Sequence, residues 1–249
     1  MRIGIIGAGN IGSVLARKLA RLGHTVSLAN SRGPATLAAL AAELGVSAVS
    51  VEGAVKDAEL VVVTIPEKSV PLLPKGLFRD APKGLVIVDT GNYYPSFRDG
   101  PIAEIESGTT ESRWVARQLG RGVVKAFNNI MAHSLAEGGL PAGTEGRIAL
   151  PIAGDDPHAK GTVIGLVDAL GFDGVDAGSL DESWRQEPGT PAYCTDHDAE
   201  GLRRALSQAD RSRSPELREL GIARMQELPA GTTPREIVLM IRSLVAASR

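Results

Sequence analysis

Gly7, Gly9 and Gly12 stand at the spacing G-x-G-x-x-G, directly after the apolar run of Ile3, Ile5 and Ile6 and directly before a helical repeat of Ile11, Leu15, Leu19 and Leu22. In that context the spacing has a chemistry. A first glycine permits a tight turn, a second lets the backbone approach a pyrophosphate, and a third lets helix and strand pack closely. The helix N-terminus adds N–H groups and a favourable dipole. Gly7-Ala8-Gly9-Asn10-Ile11-Gly12 is therefore a candidate phosphate cradle for a dinucleotide. The alternative is a turn whose glycines serve only the local backbone.

A second strand, TVSLA, ends at Asn30, Ser31 and Arg32. Sites for an unphosphorylated ribose usually place Asp or Glu here to accept from the 2′-hydroxyl, and a carboxylate would repel a 2′-phosphate. Ser31 can donate to that phosphate, and Arg32 can add charge-assisted bonds while its plane stacks on adenine. NADP is expected rather than NAD; the other reading of Arg32 is a solvated loop cation. Ligands of open parallel sheets bind outside the carboxyl ends of the strands. VVVTIP ends at Thr64, Ile65 and Pro66, an apolar edge suited to ribose and nicotinamide. VIVDTGN ends at Asp89, Thr90, Gly91 and Asn92, and VVKAFNN at Ala126, Phe127, Asn128 and Asn129. Asn92, Ala126 and Asn128 thus join the candidate cofactor contacts, although either asparagine could instead cap a loop.

Elements that would position these groups recur along the chain. Short β-branched runs (IGII, TVSLA, SAVSV, ELVVVTIP, GLVIVDTGN, GVVKAFNN) alternate with amphipathic stretches through the first 130 residues. The strands are almost continuously apolar, as when helices cover both faces. RIALPIAGDD and FDGVDAG flank a predicted helix over 160–170 and are expected to extend the sheet. Past Leu180 the strand signal stops, and helices are predicted near 197–209, 214–227 and 234–247. The last has Thr233 as cap, Pro234 in the first turn, Glu236 to close a capping box, and a face of Ile237, Met240, Ile241, Leu244 and Val245. The expected architecture is α/β, a doubly wound, mainly parallel sheet over residues 1–180 with a small helical part over 181–249.

Composition narrows the function classes. The 249 residues are 43% hydrophobic and 22% charged with a formal net charge of −2, which argues against nucleic acid or an anionic membrane surface as the principal partner and points to a small molecule. A single cysteine, Cys194, rules out an internal disulfide framework; it reads as a packed thiol, with a catalytic role as the alternative. No metal is expected. The apolar runs are far shorter than the roughly 20 residues that span a bilayer. The first of them is broken by the glycine loop and lacks a basic leader, so the chain is expected to stay in the cytoplasm.

Gly7-Ala8-Gly9-Asn10-Ile11-Gly12, Asn30-Ser31-Arg32, Thr64-Ile65-Pro66, Gly91-Asn92 and Val124-Lys125-Ala126-Phe127-Asn128, in this order, resemble the NADP oxidoreductases that use the 8-hydroxy-5-deazaflavin coenzyme, factor 420. The resemblance is clear over residues 1–155 and weak afterwards. It implies a Rossmann domain, a small C-terminal domain, and passage of a hydride between NADPH and a deazaflavin; the same module also occurs in NADPH-dependent flavin and metal reductases of membrane proteins. Such a transfer needs two ring systems stacked about 3–3.5 Å apart and can proceed largely by orientation. That suits a sequence without a nucleophile–base constellation. His133 is the expected polar group beside the acceptor, a candidate catalytic residue, or else a surface histidine. Trp184, Tyr193 and Asp196 could line the acceptor pocket or serve as core.

The sequence also departs from that family. Gly33-Pro34-Ala35-Thr36 stands where another basic residue often lies, so the NADP expectation rests on Ser31 and Arg32. ESWRQEPGTPAYCTDHD matches no deazaflavin-binding motif, which leaves the second substrate open, with a flavin as the other candidate acceptor. Two other classes stay open: an NADPH-dependent dehydrogenase or imine reductase acting on a small carbonyl or imine, and a non-enzymatic NADPH sensor. The resemblance and the amphipathic last helix together suggest a homodimer.

Overall fold

The computed structural model describes residues 1–246. Its strands are β1 (Arg2–Ile6), β2 (Thr25–Ala29), β3 (Ser47–Ala48), β4 (Leu60–Val63), β5 (Val86–Asp89), β6 (Val124–Lys125), β7 (Ala149–Gly154) and β8 (Asp173–Asp176). The helices are α1 (Asn10–Arg21), α2 (Ala38–Leu44), α3 (Val51–Val55), α4 (Ala103–Glu106), α5 (Glu111–Leu119), α6 (Ala132–Glu137), α7 (Pro157–Ala169), α8 (Ala199–Ser207), α9 (Ser214–Gln226) and α10 (Pro234–Ala246). The strands form one sheet in the order β3-β2-β1-β4-β5-β6-β7-β8. All neighbours run parallel except β6 and β7.

Alternation along each strand feeds two cores. Ile3 and Ile5 face a cluster with Leu15 and Leu19 of α1 and Val163 and Val167 of α7. Ile6, Val61 and Val63 face the other, with Val55, Trp114 and Val115. The sheet is thus wound on both faces, as the continuous apolar runs implied. A third, smaller cluster packs Leu202 and Leu206 of α8 against Ala149 of β7 and Val175 of β8.

The register collects the site. Gly7 N–H donates to the carbonyl of Ala29, Thr64 N–H to that of Ile6, Thr90 N–H to that of Val63, and Ala126 N–H to that of Asp89. The segments leaving β1, β4, β5 and β6 therefore emerge side by side at one edge.

Two expected strands are shorter than their apolar runs. SAVSV keeps only Ser47 and Ala48 as strand, because Ser50 accepts from Gly53 N–H and starts α3. GVVKAFNN keeps only Val124 and Lys125; Phe127, at φ 60°, turns the chain out of the sheet.

The three C-terminal helices lie where they were expected, with residue 247 of the last outside the described residues. The capping box at α10 is present: Glu236 accepts from Thr233 N–H at 2.7 Å, and Thr233 accepts from Glu236 N–H at 3.3 Å. The buried residue of α10 is Val238. The expected face of Ile237, Met240, Ile241, Leu244 and Val245 is only half-buried, because Ile241, Leu244 and Val245 border a cavity shared with α9 instead of entering the sheet core.

Candidate functional site

The three glycines are required for different reasons. Gly7 has φ 121°, and a Cβ there would overlap the carbonyl of Thr64. A Cβ on Gly12 would overlap the carbonyl of Gly7. Gly9 differs from both: its φ of −79° is open to any residue, and a Cβ there would meet nothing within 4 Å. Neither backbone strain nor protein packing accounts for glycine at this position, where the chain enters α1. As the N-cap it offers the first-turn amides no side-chain acceptor. Open space in front of uncapped amides is the form a pyrophosphate cradle takes. Ala8 and Ile11 flank it half-buried, and Asn10 is exposed.

Asn30 is committed to its own loop. Its Oδ1 accepts from Arg32 N–H at 2.9 Å, and its Nδ2 donates to Thr36 Oγ1 at 3.0 Å. Thr36, which the sequence reading did not single out, also donates to the carbonyl of Gly33 at 2.8 Å. This clamp leaves Ser31 and Arg32 exposed at the tip. Among the described residues the Arg32 guanidinium has no hydrogen bond or ion pair, so it is available to an anion.

At the other strand ends Thr64, Ile65 and Pro66 are half-buried. Asn92 and Asn128 are brought together: Asn92 Nδ2 donates to the Asn128 carbonyl and Asn128 Nδ2 to Asn92 Oδ1, each at 3.0 Å. Asn128 Nδ2 also donates to the carbonyl of Gln186, and Gln186 Nε2 donates back to Asn128 Oδ1. Both amide protons of Asn128 are therefore spent inside the protein, which makes it the brace that aims Asn92. Ala126 is fully buried. His133 is exposed on α6 and borders a cleft with Asp196, Arg235 and Arg242, to which no strand-end residue contributes. Tyr193 shares a hydrogen bond with the hydroxyl of Tyr94. The guanidinium groups of Arg185 and Arg211 stack on the Trp184 ring, 4.5 and 5.7 Å from its centre. Asp196 accepts from Ser134 Oγ at 2.6 Å. Cys194 is buried, and burial pushes its thiol up to about 12, so it is a protonated packed thiol at neutral pH.

Beneath the Gly91–Asn92 loop lies a charged cluster. Lys125, with no exposed surface, donates from Nζ to the Gly91 carbonyl and to Glu111 Oε2, each at 3.1 Å. Glu111 Oε1 accepts from Tyr93 N–H at 3.1 Å, and Asp89 accepts from Gly91 N–H at 2.9 Å and Ser112 Oγ at 2.6 Å. Glu187 accepts from Glu111 N–H at 2.9 Å. The backbone of residues 91–93 is thus fixed by ionisable groups on both sides. The signal was a lysine inside the apolar run Val123-Val124-Lys125-Ala126-Phe127, a position where a charge needs a built partner.

Glu67 belongs to the same cluster. Its carboxyl oxygens are buried without a hydrogen-bond partner, and a Cβ on Gly91 would overlap them. Burial, then the negative Asp89 and Glu111, hold Glu67 protonated well above the usual carboxylate range. Burial also pushes Glu111 up to about 8 and raises Glu187. These carboxyls keep protons in the folded state that they release near 4.5 when unfolded, so their contribution to stability is fully present at low pH and is lost as pH rises through the folded values. The urea midpoint should therefore drop between about pH 5.5 and about pH 8.5, and Glu67→Gln should flatten that drop. A midpoint that rises over this range would contradict the protonated cluster.

An open sheet wound on both faces, with its candidate contacts gathered at the carboxyl ends of the strands, is the architecture of a Rossmann nucleotide-binding protein. Within that class, residues 2–93 match the model of the family described as NADP oxidoreductase, coenzyme F420-dependent. Hypothetical protein SMa0349 of Sinorhizobium meliloti is 32% identical with a TM-score of 0.60, the match covering 74% of this chain and 87% of that one. A structure from an Arthrobacter species, assigned as an F420-dependent NADP reductase, is 26% identical with a TM-score of 0.63 over the same shares, 74% and 87%. Protein YjhV of Escherichia coli is 46% identical over 82 residues, 31% of this chain; the chain spans 60% of that curated relative. Among the described residues no helix is long and apolar enough to cross a membrane.

Proposed function

We propose that this protein transfers a hydride between NADPH and a ring acceptor, a deazaflavin or flavin, by holding the two in register. The observation that carries the reading is Gly9, whose missing side chain answers to no atom of the protein. In this reading the Gly9 opening and the first-turn amides of α1 hold the pyrophosphate, and Ser31 and Arg32 hold the 2′-phosphate. Thr64, Ile65 and Pro66 form the apolar floor under ribose and nicotinamide, and Asn92, aimed by Asn128, is the polar group at that floor. When bound, the nicotinamide supplies the hydride. The rest is orientation and exclusion of water, which can account for a large part of the rate without a protein acid or base.

The test is to follow absorbance at the nicotinamide band with NADPH and, in turn, a deazaflavin, FMN, FAD and a panel of carbonyl and imine compounds. Turnover with the flavin-type rings supports the proposal. Turnover with carbonyls or imines alone replaces it, and tight NADPH binding without turnover on any acceptor would identify a sensor. Arg32→Ala should weaken NADPH about 10–100-fold, the loss of a charge-assisted contact, and leave NADH nearly unchanged. Equal losses for both nucleotides would remove Arg32 from the 2′-phosphate.

A further inference from the structure

Past Thr64, Ile65 and Pro66 the chain makes a short 3₁₀ turn, Glu67–Leu72, and past Asn92 it makes a π turn, Pro95–Asp99. Lys68 fastens the two turns to each other. Its N–H donates to Asp99 Oδ1 at 3.4 Å, and its Nζ donates to the Arg98 carbonyl at 2.6 Å. Arg98 in turn donates from Nη2 to the Asn92 carbonyl. We propose that Lys68, framed by Arg98, seats a phosphate carried on the side chain of the acceptor, so that the acceptor is a phosphorylated flavin-type coenzyme. The proposal rests on the hydride-transfer reading and names what the chain recognises in its second substrate besides the ring.

Four observations support it. First, Lys68 is a fixed cation without a counterion. It is exposed, its ammonium forms no ion pair among the described residues, and the Arg98 carbonyl holds it in place while its other protons stay free. Second, the acidic groups of its own turn and of the facing turn are spent. Asp99 has no exposed side-chain surface and accepts from Tyr94 N–H at 2.9 Å and from Arg98 Nε at 3.1 Å. Glu67 is buried and keeps its proton. Arg98 bonds through Nε and Nη2, which leaves Nη1 without a hydrogen bond among the described residues and gives the seat a second donor to draw on.

Third, the seat lies away from the glycine cradle. In the sheet β4 has β1 on one side and β5 on the other. The cradle belongs to the end of β1, whereas Lys68 is tied to the segment that leaves β5. A phosphate at Lys68 is therefore a different group from the pyrophosphate at Gly9. Fourth, the same two turns carry apolar surface. Leu72 and Phe97, 80% and 62% exposed, are the two most exposed large apolar side chains among the described residues. A ring with a charged tail answers both features, because its body covers apolar groups while its phosphate meets the cation.

The test compares ligands that share a ring and differ in the phosphate. The full chain, saturated with NADP⁺ so that no turnover occurs, is titrated with FMN and riboflavin, and with an 8-hydroxy-5-deazaflavin bearing or lacking a phosphate on its side chain, following ring fluorescence. Within a pair that binds, the phosphorylated member should bind at least about tenfold more tightly, the yield of one charge-assisted contact, and this preference should shrink as salt rises from about 0.05 M to about 0.5 M. Lys68→Ala should bring the phosphorylated ring down to its unphosphorylated counterpart, and Lys68→Arg should keep most of the preference. Equal binding within the pairs, or a preference that survives Lys68→Ala, would overturn the proposal. So would a loss of NADP⁺ affinity with Lys68→Ala, which would assign the ammonium to the nucleotide. A fall in sedimentation coefficient with Leu72→Glu would mean that a second copy of the chain covers the two turns, and would overturn it as well. Absence of binding by all of these rings would overturn the hydride-transfer reading and the seat with it, whereas equal binding within the pairs removes the seat alone, so the two failures are distinguishable.

Discussion

Replacing Lys125 by methionine should cost about 3–5 kcal/mol of stability at pH 8.5, the usual penalty for breaking a buried pair by removing one partner. Lys125 and Glu111 are both buried, and the ammonium group also fastens the Gly91 carbonyl. It is the cation beside Asp89, Glu111 and Glu187, and at high pH their charges hold it protonated against the opposing effect of burial. Without it, Glu111 must either keep a buried charge with no counterion or take up a proton. At pH 6 the proton is available, so the loss should shrink. Adding Glu111→Gln to Lys125→Met should restore most of the stability at high pH, because the orphaned charge is then gone. Urea denaturation of the three variants at the two pH values is the measurement. An equal loss at both, with no rescue by Glu111→Gln, would show that Lys125 contributes packing and not charge.

Gly9→Val should fold with unchanged stability and lose at least about 100-fold in NADPH affinity, or ~2.7 kcal/mol of binding free energy. Its backbone angles suit a β-branched residue and a Cβ there would meet no protein atom within 4 Å, so the penalty falls on the ligand. Gly12→Ala provides the contrast: its Cβ would overlap the Gly7 carbonyl, so stability and binding should fall together. Thermal melts and fluorescence titration with NADPH separate the two cases. Unchanged NADPH affinity in Gly9→Val would place the pyrophosphate elsewhere.

Much of this was legible in the chain because local and tertiary signals agreed. Ile3, Ile5 and Ile6 followed by three glycines have few other uses, and the apolar runs marked strands covered on both faces. Thr233 with Glu236 located the start of α10. The antiparallel step at β7 was not legible, because RIALPIAG carries no mark of direction; direction is set by how the chain returns after α6. Asn92 and Asn128 could be placed at strand ends, but that Asn128 spends its protons on Asn92 and Gln186 depends on a segment some 60 residues away in sequence. The same holds for Lys125 and Glu111, whose pairing needs α5 against β6. Side-chain pairing across elements is tertiary information, and periodicity reports only which face is buried.

Two parts of the molecule also differ in mechanical character. Gly7 and Gly12 are pressed against each other and against the end of β4, so the turn that opens α1 has no room to deform. Across the molecule, α10 contributes only Val238 to the interior and is latched by Arg242, whose guanidinium grips the carbonyls of Thr195 and Asp196 at 2.7 and 2.8 Å. Few buried contacts mean cheap local opening. The first stands like an anvil, and the second hangs like a shutter on Arg242.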